Sequence, residues 1–186
     1  AMQVTDWLDL GAGVSAQYTE ATLSTTYPNL APGAPDGVSQ LKGNGWDFGW
    51  TVGAQARFEA LTFGASYRSA IEHDLEGDVR VVGLGGPLAP FNVDTEGSAN
   101  FSTPWIATLG ARWQATERLA LNAQVNRIGW SEFDEISVTS TAVNETLPQR
   151  YKDVTTGGVG MDYAVNPRLT LRAGVQYDPT PTPDEL

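Results

Sequence analysis

The chain contains one histidine, His73, and acids flank it on both sides in Glu72-His73-Asp74. A carboxylate beside an imidazole can orient a general base. A hydrolase built on that base needs a serine aimed at it, and no local motif nominates one. His73 falls at the far end of an extended run, where a solvated histidine is the expectation. Four arginines offer a second chemistry. Arg57, Arg68, Arg112 and Arg172 lie on the polar parity of alternating segments, where a guanidinium can meet a carboxylate head group. Equally, they can pair with acids of the same face, such as Asp162, and stabilise the wall. The acid-rich stretch Glu132-Phe133-Asp134-Glu135 offers oxygen ligands for calcium, but alternating acids at a strand end usually form a wet rim. Gly83-Leu84-Gly85-Gly86 lacks the helix and lysine of a phosphate loop. With no cysteine, thiol chemistry and cysteine metal sites are excluded. We therefore expect no catalytic residue, no metal and no cofactor.

The elements that must carry these side chains show period two, the strand period. Leu8, Leu10, Ala12, Val14, Ala16 and Tyr18 alternate with polar or small residues. So do Trp50 to Phe58, Leu61 to Tyr67, Trp105 to Trp113, Leu119 to Val125, Val159 to Val165 and Leu169 to Tyr177. Seven strands share the pattern. Short links (Glu59–Ala60, Thr116–Arg118, Asn166–Arg168) alternate with long ones near Thr25–Gly45, Gly83–Gly97 and Ser140–Gln149. Outer-membrane barrels have short periplasmic turns and longer extracellular loops. Trp7, Phe58, Trp113 and Tyr163 then fall near the short-turn end, as a periplasmic-side aromatic girdle requires. The stretches Leu61–Val81 and Leu119–Thr139 exceed a membrane span and are expected to protrude. A soluble β-sandwich also alternates. Here, however, the apolar face mixes single large residues with alanine, and the opposite face is rich in Gly, Thr and Gln, as a wet lumen would be. Arg127 falls on the lipid parity, so we expect a bulge between Val125 and Trp130 or a position at headgroup level.

Composition agrees. Aromatic residues make up 10% and apolar residues 41%, with 20 glycines, several inside the alternating runs. Mean hydropathy is −0.24, and no apolar run approaches the ~20 residues of a spanning helix. A membrane strand needs only about 10 residues, with every second one facing lipid. A net charge of −11 removes the basic footprint of a nucleic-acid binder. No charged and then apolar export signal precedes Trp7.

Several ordered stretches resemble the outer-membrane long-chain fatty acid and aromatic hydrocarbon transporter family. They are Gly43-Asn44-Gly45-Trp46-Asp47-Phe48-Gly49-Trp50, Tyr67-Arg68-Ser69-Ala70-Ile71-Glu72-His73-Asp74-Leu75-Glu76-Gly77-Asp78 and Gly129-Trp130-Ser131-Glu132-Phe133-Asp134. Tyr151-Lys152-Asp153 and Leu171-Arg172-Ala173-Gly174-Val175-Gln176-Tyr177-Asp178-Pro179-Thr180-Pro181 complete the set. The resemblance implies an all-β fold: an antiparallel transmembrane β-barrel segment, about seven strands of a larger barrel of roughly fourteen. On that resemblance, residues 1–186 are expected to form one partial barrel domain, without the family's N-terminal hatch or closing strands. It further implies passive uptake of a hydrophobic small molecule, long-chain fatty acid or hydrocarbon, through a lateral opening across the outer membrane of a Gram-negative bacterium. The expected surroundings are outer-membrane lipid and lipopolysaccharide, with a monomeric complete protein. Thr25–Lys42 corresponds to one loop of the family's outer substrate groove.

Basic head-group residues of fatty-acid members align with Thr25 and Leu147 here, neither of which is basic; Arg150 lies close by. The substrate is then a neutral hydrophobe unless Arg150 or a lumen arginine substitutes. Tyr27, Leu30 and Leu41, with neighbouring prolines, are candidates for an apolar capture patch on that loop. They can equally pack the loop onto its neighbours. A structural or adhesive barrel, and an outer-membrane hydrolase using His73, are the alternatives.

Overall fold

The computed structural model describes residues 1–29, 33, 35–141 and 144–183. It is one antiparallel sheet of twelve segments. These are β1 (Met2–Thr5), β2 (Leu8–Tyr27), β3 (Gly37–Phe58), β4 (Leu61–Arg68), β5 (Ile71–Val82) and β6 (Val93–Thr103). β7 (Trp105–Gln114), β8 (Leu119–Gly129), β9 (Glu135–Ser140), β10 (Asn144–Pro148), β11 (Val154–Asn166) and β12 (Leu169–Tyr177) follow. They trace seven passes of a wall: β2, β3, β4 with β5, β6 with β7, β8 with β9, β10 with β11, and β12. The alternating runs are the lower parts of these passes.

The breaks within passes line up. Ser69 and Ala70 separate β4 from β5, Pro104 separates β6 from β7, and the turn Trp130–Glu132 lies between β8 and β9. Proline lacks the N–H that a ladder needs. Below the breaks the sheet runs β2, β3, β4, β7, β8, β11, β12; above them it runs β2, β3, β5, β6, β9, β10. β3 serves both parts, pairing with β4 through Thr51–Phe58 and with β5 through Val38–Asn44.

The upper sheet curls until its end strands face each other, and the Tyr27 hydroxyl at the tip of β2 donates to Glu145 of β10 at 3.3 Å. Its concave side holds the buried core: Leu41, Leu75, Val79 and Ala99, with Ala21, Leu23, Phe101 and Val138 packed around it. So tight a curl needs backbone contact, and a Cβ at Gly77 would collide with the Lys42 carbonyl of β3. About six strands leave room only for side chains inside.

The long connections are shorter than expected. β2 and β3 continue to Tyr27 and from Gly37, leaving 28–36, and β9 and β10 leave only 141–143. Most of Thr25–Gly45 and Ser140–Gln149 is strand, because the passes project beyond the apolar band and pair with one another there. The strict alternation of loop lengths therefore does not hold. β9 ends at Ser140 and β10 begins at Asn144, a separation as short in sequence as the links at the opposite end.

Candidate functional site

The lower wall has two unlike faces. Val14, Val52, Phe63, Leu109, Val125, Val159 and Val175 lie on one face and stay open to the surroundings, Val14 at 82%. Large apolar side chains left bare in this regular array require an apolar medium. Rings bound the band at both ends. Trp7 stacks on Phe58 at 5.5 Å, with Phe63 beyond it. At the other end Trp50, Tyr67 and Trp105 follow one another at 5.2 and 5.9 Å. Between Trp50 and Phe58 the strand rises about 27 Å, or about 20 Å along the normal at a tilt near 40°, close to the height of a barrel's lipid band.

The opposite face is polar and largely self-paired. The Arg57 guanidinium meets Asp9 at 2.5 Å. Arg112 donates to Asp162 at 2.8 Å and to Asn122 at 2.9 Å, and Arg172 approaches the other Asp162 oxygen at 3.5 Å. Thr108 donates to Asn126, whose amide donates to Thr156, both at 2.9 Å. Arg68, at the upper end of β4, is exposed and has no ion-pair partner among the described residues. Three of the four lumen arginines are thus held by carboxylates of their own wall.

The loop candidates separate. Tyr27 is tied to Glu145, and desolvation followed by the Glu145 charge raises its phenol above the ordinary value. Leu41 is 3% exposed in the core of the upper sheet and does not join an outer patch. Arg150 is exposed, with positive φ (52°), in the link between β10 and β11. Leu30 lies outside the described residues.

β8 continues in register to Gly129 without a bulge, and Arg127 opposes Ala107, itself opposite Tyr67. Its level is that of the upper rings, where a guanidinium is tolerated. There it donates to Thr155 at 3.1 Å and to Asp153 at 3.3 Å. Asp153, above the band, accepts the Ser131 hydroxyl at 2.7 Å and its N–H at 3.1 Å. Those two hydrogen bonds first, and the Arg127 charge after them, hold its carboxyl below the usual value.

His73 is not solvated. It is 1% exposed, on the concave side of β5, stacked on Phe101 at 4.8 Å. Its Nδ1 lies 2.7 Å from Asp47 of β3, itself buried, and 3.3 Å from Thr19 of β2. The other Asp47 oxygen accepts the Asp74 N–H at 3.3 Å, where β3 has left β4 and not yet met β5. Asp47 thus closes a gap in the ladder. One signal for this burial was present: His73 shares its parity with Ile71, Leu75, Val79 and Val81, an inward apolar stripe. Among the described residues the pair's other hydrogen bonds go to Thr19 and the Asp74 N–H rather than to a serine, and no cluster of acids and His73 suited to a metal exists.

Known proteins match the chain throughout. The family model described as outer membrane protein transport protein (OMPP1/FadL/TodX) matches residues 1–186. The long-chain fatty acid transport protein of Escherichia coli K12 is 24% identical over 194 residues, covering 94% of this chain and 43% of that protein. Outer membrane protein P1 of Haemophilus influenzae is 24% identical, covering 96% and 45%. Among solved structures, a Pseudomonas aeruginosa FadL homologue superposes with TM-score 0.81 at 27% identity, covering 97% of this chain and 48% of that one. The P. putida toluene transporter TodX superposes at 0.65 with 22% identity, covering 94% and 51%. The chain spans less than half the length of these curated relatives.

Proposed function

The chain belongs to the outer membrane protein transport family (OMPP1/FadL/TodX), and from that membership we propose that the complete protein is a passive uptake channel for a neutral hydrophobic small molecule. Relatives of the chain are outer-membrane proteins of Gram-negative bacteria, among them transporters of long-chain fatty acid and of toluene. The outer membrane is therefore its location and transport its family's role. The observation that carries the reading is the two-faced wall, bare and apolar outside, polar and internally paired inside.

Passive flux needs a continuous path and moderate affinity rather than reacting groups. Nothing in the paired arginines or the His73–Asp47 contact supplies a nucleophile. The neutral substrate is supported by what the wall withholds. Arg57, Arg112 and Arg172 are occupied by Asp9 and Asp162, and Thr25 and Leu147 offer no cation. Of the candidate arginines, Arg68 and Arg150 have no ion pair among the described residues and are left for a carboxylate head group. Outside, the upper rings and Arg127 suit contact with outer-leaflet lipid and lipopolysaccharide, and the complete barrel acts as a monomer.

The test is entry into liposomes carrying the complete protein, comparing a neutral alkylbenzene with oleate. Faster alkylbenzene entry is expected. Preferential oleate entry would restore a fatty-acid substrate and nominate Arg68 or Arg150, while entry no faster than into empty liposomes would end the transport reading.

A further inference from the structure

We propose that the groove below Arg127, on the outer face of the lower wall, binds one molecule of lipid A, the phosphorylated glycolipid of the outer leaflet. The site deepens the lipopolysaccharide contact proposed above and rests on that reading of the wall. The groove has a volume of about 560 Å³. Val52, Ala65, Leu109 and Val125 are among its lining, with Tyr67 and Arg127 at its upper end, and all six are of lipid parity. Apolar lining alone is what any lipid-facing wall shows. The cation is not. Among the described residues of lipid parity in the lower wall, Arg127 is the one charged side chain.

A guanidinium facing lipid is costly unless anions meet it. Asp153 does so only in part. That ion pair spans 3.3 Å, and the other contact is the Thr155 hydroxyl at 3.1 Å. Together they use two of the five N–H groups, and the Arg127 side chain stays half-exposed. Asp153 is itself shared, accepting two bonds from Ser131 at 2.7 and 3.1 Å.

Two rings bring further donors to the same place. Trp105 pairs across from Gly129, and a Cβ at Gly129 would collide with its indole, so the ring reaches over β8 two residues above Arg127. Tyr67 stacks on Trp105 at 5.9 Å. Neither the indole N–H nor the phenol O–H has a hydrogen-bond partner among the described residues. Guanidinium, indole and phenol thus offer unpaired donors at headgroup level, the set that a phosphate with its many acceptor oxygens satisfies. Below them the apolar lining suits an acyl chain. The ligand therefore joins a phosphate to acyl chains. The upper rings lie toward the end where the passes project, the extracellular side of an outer-membrane barrel, and the phosphorylated lipid of that leaflet is lipid A.

The test is native mass spectrometry of the complete protein in detergent, titrated with lipid A and with the same lipid stripped of its phosphates. Saturable binding of one lipid A is expected, at least tenfold tighter than the stripped form. Arg127→Gln should weaken it at least tenfold, while Arg118→Gln, at the opposite end of the wall, should leave it unchanged. Equal affinity for the two lipids, binding unaltered by Arg127→Gln, or an equal loss in both variants would overturn the proposal. Phosphatidylglycerol bound as tightly as lipid A would overturn the choice of ligand. A nitroxide at Val125 in bilayers reads the face separately. If it meets oxygen while binding ignores phosphate, this site alone fails. If it meets a water-soluble nickel chelate instead, the lipid-facing reading on which the site rests fails with it.

Discussion

At the scale of single residues, the polar face is governed by pairing. A buried carboxylate must find a partner, and Asp47 finds His73 across 26 positions of sequence. His73→Ala strands Asp47 and is expected to destabilise the complete protein by about 3 kcal/mol, measured as denaturant unfolding. The double variant with Asp47→Leu should recover much of that loss. Asp153 supplies a pH dependence. Its pKa is lowered in the folded chain, so its contribution is fully present above the ordinary carboxylate value. The contribution is lost as pH falls through the depressed value, below 3.8. Asp153→Asn should therefore lower stability at neutral pH, through the Ser131 hydrogen bonds and the Arg127 charge together, and flatten the acid limb of the stability profile below about pH 4. The Arg112–Asp162 pairing was one of two readings open from parity alone. The burial of His73 was not chosen, because its position near the far end of an extended run suggested water.

At the scale of elements, what the sequence made legible was the part whose environment changes every second residue. The lower passes repeat that alternation, and their turns at Glu59–Ala60 and Asn166–Arg168 stand where the pattern ends. The upper passes were less legible. Gly43, Gly45 and Gly77 carry no hydropathy signal, and their purpose, close backbone approach, exists only once β3 and β5 are paired. Loops were therefore expected where strands continue. Two substitutions separate the layers. Val125→Arg places a charge in the middle of the apolar band and should cost about 2–4 kcal/mol, whereas Gln124→Arg on the polar face should be nearly neutral; unfolding from lipid vesicles distinguishes them. Gly77→Val should disrupt the upper sheet through the Lys42 carbonyl, seen as protease cleavage near β5 with the lower wall still protected.

At the scale of the whole molecule, the chain is half of a wall. β2 above its hairpin with β1, and β12 throughout, leave edges that cannot persist in hydrocarbon, so the measurement belongs to the complete barrel. The central claim is that one face of this wall meets lipid and the other meets water. Nitroxide labels placed singly along β8 and β11, at Leu121, Val125 and Val159 against Asn122, Gln124 and Gly160, test it in reconstituted bilayers. Collisions with oxygen should dominate at the first three positions, and collisions with a water-soluble nickel chelate at the last three. A reversed pattern, or equal accessibility on both faces, would contradict a membrane-spanning wall.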